Sequence, residues 1–280
     1  MAARSIITVA LVATTGACQR PIRPLPTAAT FRETLVARTV DYSAVWADTP
    51  DMLRQHSEAI VAIAGLLMLV PNWASGFFVG QPDVEGVKTV ADIFAAQGEH
   101  LIANWPILLP LGLISFFGGI AVLTLLLRPE LPRIGDTLLF AAKLFPVYLL
   151  VSILTGILTS LGAFAFLIGL LYIAGRLLPV MPIVVAETDK GVGIWGSIAR
   201  GWELTRGLGW KCFLLFFTII IVAYISTGVI DIIVGIICSL AGPEGVPLVQ
   251  TFVSALTGSA LGVVILALEA AVYRHLAKQD

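Results

Sequence analysis

The stretch LFPVYLLVSILTGILTSLGAFAFLIGLLYIAGRLLPVMPIVVA, from Leu144 to Ala186, decides the fold, because its 43 residues carry a single charge, Arg176. A membrane hydrocarbon core about 30 Å thick is crossed by a helix of about 20 apolar residues. One continuous helix of this length would be roughly twice as long as the core is thick. The stretch therefore predicts two membrane-spanning helices, joined by a turn near Ser160-Leu161-Gly162.

Further uncharged runs extend this pattern over most of the chain. Leu101–Leu127 and Cys212–Ile230 contain no charged residue, and only 12% of the whole chain is charged, against about 25% in soluble domains. Continuous apolar runs favour helices over the alternating strands of a membrane barrel. The predicted fold is an all-α polytopic membrane protein whose six transmembrane helices form three hairpins with short interfacial helices. Predicted spans 1 to 6 cover residues 59–79, 103–127, 138–159, 163–185, 212–233 and 248–273, with span 1 broken at Pro71-Asn72.

Lysine and arginine are distributed unevenly about these spans. With six spans, 16 of the 17 basic residues fall on one side of the membrane. The exception is Lys88, in a loop that also holds Asp83, Glu85, Asp92 and Glu99. Because short cytoplasmic loops carry the excess of basic residues, this pattern predicts that both chain ends lie in the cytoplasm.

Residues 1–38 precede the predicted membrane domain, residues 39–280. Thr15-Gly16-Ala17-Cys18 follows a short apolar run and loosely resembles a bacterial lipoprotein signal. However, Thr15 stands where such signals usually carry leucine, and export would invert every basic loop. The alternatives are a disordered tail or a start codon assigned too far upstream, and Pro21, Pro24 and Pro26 argue against a helix there.

A short pattern recurs before two of the predicted hairpins. Thr137-Leu138-x-x-Ala141-x-x-Leu144 returns as Ser197-Ile198-x-x-Gly201-x-x-Leu204. We therefore expect each hairpin to follow a short interfacial helix. In the second copy, Ile194, Trp195, Ile198 and Trp202 share one helical face. Its candidate interfacial residues are Trp195, Arg200, Trp202, Glu203 and Arg206, types that suit the headgroup layer. This helix either binds anionic lipid or anchors the bundle in register.

Apart from Lys143 at the start of span 3, three charged residues lie within predicted spans: Arg176 in span 4, Asp231 late in span 5 and Glu269 in span 6. A lone charge at depth costs roughly 2.5–3.5 kcal/mol on insertion scales. We therefore hypothesise that Arg176 pairs with Glu269. The alternative is that Arg176 extends to the interface while Glu269 reaches the headgroups beside Arg274. Asp231 lies either at the outer interface or in a polar cavity.

Small residues recur every four positions along span 6, at Ser254, Gly258 and Gly262. Small residues at this spacing let two helices approach closely. The stripe predicts close packing, either within the chain or in a homodimer.

Two segments carry a family resemblance. They are Gly175-Arg176-Leu177-x-x-x-x-Pro182-x-x-x-x-Glu187 and Ser197-x-x-x-x-Trp202-Glu203-Leu204-Thr205-Arg206-Gly207. About residues 39–280 resemble the bacterial proteins named for a "glycerophosphoryl diester phosphodiesterase membrane domain", which include six-span YciC-like inner-membrane proteins. The resemblance implies a multi-pass protein of the bacterial inner membrane. It implies no hydrolase, because the phosphodiesterase domain is a separate soluble barrel for which residues 39–280 leave no room.

The sequence also bounds the chemistry. It contains no GxSxG, no HExxH and no lysine-bearing phosphate loop, and Cys18, Cys212 and Cys238 are scattered. We therefore predict no enzyme activity, no cofactor and no metal, and a net charge of -1 argues against a nucleic-acid partner. A membrane-organising or partner-binding protein is the first functional hypothesis. The alternative is a transporter or lipid-handling protein that uses Arg176 and Glu269 in a bundle cavity, with a bound phospholipid in addition to the bilayer.

Overall fold

The computed structural model describes residues 41–80, 89–131, 133–162, 166–241 and 246–279. These residues form helices and connecting turns, with no strand among them, which confirms the all-α prediction. Within these ranges, six helices are long and apolar enough to cross a membrane, as predicted. Spans 1 to 6 are Ser57–Phe78, Ala95–Leu127, Ile134–Gly162, Ile168–Ala186, Gly209–Ile237 and Leu248–Ala277. The hypotheses about residues 1–38 lie outside the described residues.

A helix from Tyr42 to Gln55, called here the leading helix, precedes span 1. Span 1 begins with Ser57–Ala64, widens into a π-helical turn over Gly65–Leu69 and continues as Val70–Phe78. The predicted break at Pro71-Asn72 is wrong. Pro71 lies at the start of the last segment, where its missing N–H and fixed φ suit a helix.

The helix that contains span 2 runs from Val90 to Leu127, so it begins well before the predicted position 103. Its start is a capping box, in which the Thr89 hydroxyl accepts from the Asp92 N–H and the Asp92 carboxylate accepts from the Thr89 N–H. Such reciprocal bonds satisfy backbone donors that a helix start leaves free. The polar first turns therefore extend the helix beyond its apolar portion.

Span 4 consists of two helical pieces, Phe166–Leu177 and Val180–Ala186, separated by a turn at Leu178 and Pro179. After a 3₁₀ turn at Thr188–Lys190 comes a helix over Ile194–Leu204, called here the connecting helix. Glycines with left-handed backbone, Gly191 and Gly207, flank it. The helices of spans 3, 5 and 6 are continuous over Ile134–Gly162, Gly209–Ala241 and Val246–Ala277.

The core lies at one end of the bundle, the basic end, where span 2 ends and span 3 begins. The C-terminal turns of spans 2, 4 and 6 contact one another there. Their side chains are almost fully enclosed over residues 120–126, 180–185 and 267–272, apart from Met181 and Glu269.

Three helical segments surround this core, and each buries residues at the same spacing. The leading helix buries Val45, Thr49 and Met52; the start of span 3 buries Thr137, Ala141 and Leu144; the connecting helix buries Ser197, Gly201 and Leu204. The two copies of the sequence pattern thus bury equivalent positions, and the leading helix adds a third set. The copy before span 3 forms no separate helix, because Ile134–Gly162 is continuous.

Candidate functional site

Arg176 holds span 4 to the end of the connecting helix. Its Nη2 donates to the Trp202 carbonyl oxygen over 2.9 Å, and its Nε donates to Thr205 Oγ1 over 3.4 Å. Its Cζ lies 3.9 Å from the centroid of the Trp202 ring, a cation–π contact. These partners stabilise a buried guanidinium that has no carboxylate partner among the described residues.

The predicted ion pair between Arg176 and Glu269 is not formed. Arg176 lines a groove beside the connecting helix, whereas Glu269 lines a separate cavity with Tyr148 and Asn72. The reason is that the connecting helix folds back over span 4 and offers Arg176 a carbonyl and an aromatic ring. As for the alternative, Arg176 is buried against the connecting helix and Glu269 lines a cavity with Tyr148, while a position of Arg176 at the membrane interface stays a prediction.

The groove beside the connecting helix has a volume of about 920 Å³, within the range of small-molecule sites. We call it the arginine groove. Its walls are mainly apolar, and its polar groups lie on the side of the connecting helix. The apolar lining residues are Leu158, Leu161, Ile173, Leu177, Ile198 and Ala199, and the remainder are Arg176, Trp195, Trp202, Glu203 and Arg206.

The connecting helix packs on the bundle with its small and aliphatic residues rather than with its tryptophans. Ser197, Gly201 and Leu204 are buried with Ile198, whereas Trp195 is 72% and Trp202 44% exposed. A Cβ on Gly201 would overlap the side chain of Val180. Small residues therefore bring this helix close to the core, and the two tryptophans remain on its outer side.

Arg200 and Glu203 take part in ion pairs near the same helix. Arg200 Nε lies 3.9 Å from Glu187 Oε2, and its Nη1 lies 3.8 Å from Glu203 Oε2. Arg206, by contrast, is exposed and forms no ion pair with any residue that the structure describes. Of the five predicted interfacial residues, Trp195, Trp202, Glu203 and Arg206 line the arginine groove, while Arg200 reaches toward Glu187.

A buried polar cluster lies at the basic end and was not predicted from the sequence. Tyr273 donates to Glu187 Oε1 over 3.0 Å, and Arg128 Nε donates to the Val185 carbonyl over 3.2 Å. Arg128 Nη1 also contacts Asp189 and Glu130. Burial alone would lower the pKa of Arg128, but its bonds to these two carboxylates outweigh burial and raise the pKa. The sequence gives no spacing pattern that links these residues, because they lie on or just after different spans.

The small-residue stripe of span 6 is used within the chain. A Cβ on Gly262 would lie 3.1 Å from Met68 Cε of span 1, whereas a Cβ on Gly258 would meet open space. Ser254 donates to Asp231 Oδ1 of span 5 over 2.9 Å. Asp231 is exposed, so this bond joins spans 5 and 6 on the outside of the bundle. A homodimer through the stripe stays a prediction.

Two cavities lie along the inner side of the stripe. The inner one, of about 490 Å³, contains Glu269, Tyr148 and Ser152. The outer one, of about 330 Å³, is lined by His100, Ser254 and Gly258, among others. Together with the arginine groove, these cavities offer space for a polar or amphipathic ligand.

Among the residues that the structure describes, no group of three or more His, Cys, Asp or Glu residues is arranged to hold a metal ion. Comparison of the chain with protein-family models, with curated proteins and with solved structures finds no match in any of the three.

Proposed function

We propose that the protein binds one anionic phospholipid in the arginine groove, which makes it a lipid-handling protein of the membrane. The observation that supports this most directly is the placement of Arg176 and Arg206 beside a mainly apolar groove, whose one acidic lining residue, Glu203, lies near Arg200. A phospholipid has the matching chemistry, since its phosphate needs a cation and its acyl chains need an apolar wall.

Arg206 is the residue that we expect to contact the phosphate. Its guanidinium is exposed and forms no ion pair with the described residues, so its N–H donors are available to phosphate oxygens, which arginine can bind in bidentate fashion. Arg176 is occupied by Trp202 and Thr205 and supplies positive charge from the wall of the groove. Trp195 and Trp202 suit the headgroup layer beside the phosphate.

The acyl chain is expected to follow the apolar wall of the arginine groove. Leu158 and Leu161 come from the last turns of span 3, and Ile173 and Leu177 come from span 4. These side chains extend the wall toward the C-terminal end of span 3, away from the basic end. A chain lying along them keeps hydrocarbon contacts while the phosphate stays beside Arg206.

The proposal also includes a location, an orientation and a family. We propose that the protein lies in the bacterial inner membrane with both chain ends in the cytoplasm, and that it belongs to the family that residues 39–280 resemble. This orientation would put the arginine groove on the cytoplasmic side, where the leaflet carries anionic lipid. Lipid binding here requires no catalysis, in keeping with the expectation of a protein that is not an enzyme. Transport through a joint Arg176 and Glu269 site loses its basis, because the two residues line different cavities.

Native mass spectrometry tests the proposal on the full chain in nanodiscs of equal parts phosphatidylglycerol and phosphatidylethanolamine. The wild type should retain phosphatidylglycerol preferentially. Arg206→Gln should weaken this retention about tenfold or more, because a hydrogen bond to a charged group contributes roughly 1.5–3 kcal/mol. Arg274→Gln is the matched control, since Arg274 is exposed at the basic end and does not line the groove.

A second pair of variants separates the groove from a general aromatic effect. Trp195→Ala should lower lipid retention, whereas Trp210→Ala should not, because Trp210 is similarly exposed but packs on Tyr172 and Phe213 outside the groove. Equal retention of both lipids, or equal losses in both arginine variants, would refute the proposal. A protein that co-purifies and dissociates in Trp195→Ala would support the partner-binding hypothesis instead.

A further inference from the structure

The inner and outer cavities share one lining residue. Asn72 of span 1 lines both the inner cavity around Glu269 and the outer cavity. The outer cavity is bounded by Gly80, Gln97 and His100, where span 1 has ended and the helix of span 2 is in its first turns. We call this end of the bundle the acidic end, because Asp92 and Glu99 lie there in the first turns of the helix that contains span 2. The two cavities thus outline a path from Glu269 past Asn72 to the acidic end, called here the route.

Glu269 is an isolated acid within this route. Tyr148 of span 3 is the other titratable residue that lines the inner cavity. Span 1 contributes Met68 and Asn72, span 2 contributes Ser115, and span 4 contributes Met181. No described cation pairs with Glu269, and a carboxylate removed from water is costly unless a cation or a proton neutralises it.

The stripe of span 6 keeps the route open. Gly262 lines the inner cavity, Gly258 and Ser254 line the outer one, and Gly258 has no atom within 4 Å of where a Cβ would lie. Larger side chains at these positions would fill the space between Glu269 and the acidic end. The missing side chain of Gly258 thus leaves space in the outer cavity.

The π-helical turn of span 1, Gly65–Leu69, lies directly before Asn72. A Cβ on Gly118 of span 2 would lie 2.8 Å from Leu67 Cβ, so the wide turn is packed closely against span 2. Turns of this kind recur at functional sites. Asn72 Nδ2 donates to Ser259 Oγ over 3.1 Å, which fixes the amide at the junction of the two cavities.

We propose that Glu269 is a proton-binding site that exchanges its proton with water at the acidic end through these two cavities. This site shares no residue with the arginine groove, so either proposal can fail without the other. His100, at the outer cavity, is the titratable residue nearest the opening of the route.

Infrared spectroscopy of the full chain reconstituted in phosphatidylethanolamine vesicles tests the site directly. The wild type should show the carbonyl band of a protonated carboxylic acid, and Glu269→Gln should lack it. As the pH rises, the ratio of protonated to ionised acid should fall roughly tenfold per pH unit, as for a single titrating group. Glu269→Asp should shift the band rather than abolish it, which separates loss of the acid from loss of the fold.

The route is tested by the rate at which the same band shifts after exchange into D₂O. Gly258→Leu should slow this shift because leucine fills the outer cavity, whereas Gly228→Leu should leave it unchanged. Gly228 of span 5 also has open space at its Cβ but lines neither cavity. The proposal is overturned if wild type and Glu269→Gln give the same spectrum at every pH. It is also overturned if Na⁺ removes the band at fixed pH, or if Gly258→Leu exchanges like the wild type.

Discussion

The Tyr273 hydroxyl, near the end of span 6, donates a 3.0 Å hydrogen bond to Glu187, the residue that follows span 4. Arg128, which follows span 2, extends this link by donating to the Val185 carbonyl in the last turn of span 4. The last carbonyls of a helix have no partner within it, so Arg128 satisfies one of these acceptors. One buried polar cluster thus joins the ends of spans 2, 4 and 6.

Tyr273→Phe should therefore destabilise the protein by roughly 1.5–3 kcal/mol, since it removes a hydrogen bond to a charged group and leaves buried Glu187 with one partner fewer. Chemical unfolding in detergent, followed by circular dichroism, measures the change. Tyr224→Phe is the matched control, because Tyr224 is 79% exposed on span 5. Equal unfolding midpoints for the two variants would show that the Tyr273 bond contributes nothing to stability.

Gly201→Ala should destabilise the connecting helix against the core. The added Cβ overlaps the buried side chain of Val180, a β-branched residue with little freedom to rotate. Overpacking of this kind costs about 1–3 kcal/mol, more than the gain of up to about 1 kcal/mol in helix propensity. Val180→Ala in the same chain should restore part of the loss, and the double-mutant cycle, measured by chemical unfolding, reports the coupling.

Gly175→Ala should also destabilise the protein, but, unlike Gly201→Ala, no neighbouring substitution should rescue it. A Cβ there would lie 2.9 Å from the carbonyl oxygen of Cys212 and from the amide nitrogen of Phe213, both backbone atoms of span 5. Because trimming a side chain cannot relieve this overlap, no neighbouring substitution to alanine should rescue the variant. Gly228→Ala, with open space at its Cβ, should unfold like the wild type. A rescuable Gly175→Ala, or a silent Gly201→Ala, would contradict the packing described here.

The stability of the leading helix should depend on pH, because Asp41 caps its start. Hydrogen bonds from the Ser43 side chain and from the Ala44 amide lower the pKa of Asp41 below its ordinary value of 3.8. The stabilisation is therefore fully present above that value and is lost as the pH falls through the lowered pKa. Hydrogen exchange of the Tyr42–Gln55 segment should accelerate in acid relative to Asp41→Asn, which keeps a neutral cap. If the exchange rates of the wild type and of Asp41→Asn depended on pH in the same way, the ionised Asp41 would not stabilise the helix.

The sequence predicts the spans well, because a charge-free run of about 20 residues has few structural solutions in a membrane. It predicts their ends less well. The start at Val90 escapes a hydropathy criterion, since the first turns of that helix carry Asp92 and Glu99, although Thr89 and Asp92 do form a recognisable capping box. The break predicted at Pro71-Asn72 was wrong because proline does not disrupt a helical segment when it lies at its start.

The site residues show a different limit. Hydropathy marks Arg176 and Glu269 as interior charges but does not give the rotation of each helix about its axis, which decides whether they meet. Arg176 satisfies its need for a partner with the carbonyl and ring of Trp202. That solution depends on the connecting helix folding back over span 4. Sequence spacing carries no such information for residues on separate elements, and the same holds for Glu187 and Tyr273.

The predicted cytoplasmic placement of both chain ends depends on the distribution of basic residues and has a direct test. In a chain with Cys18, Cys212 and Cys238 replaced by serine, Glu99→Cys and Lys278→Cys each provide one exposed thiol, at opposite ends of the bundle. A membrane-impermeant maleimide should label the Glu99→Cys variant on intact spheroplasts, and the Lys278→Cys variant only after permeabilisation, because basic loops stay inside. The reverse pattern would invert the topology and place the arginine groove on the outer side.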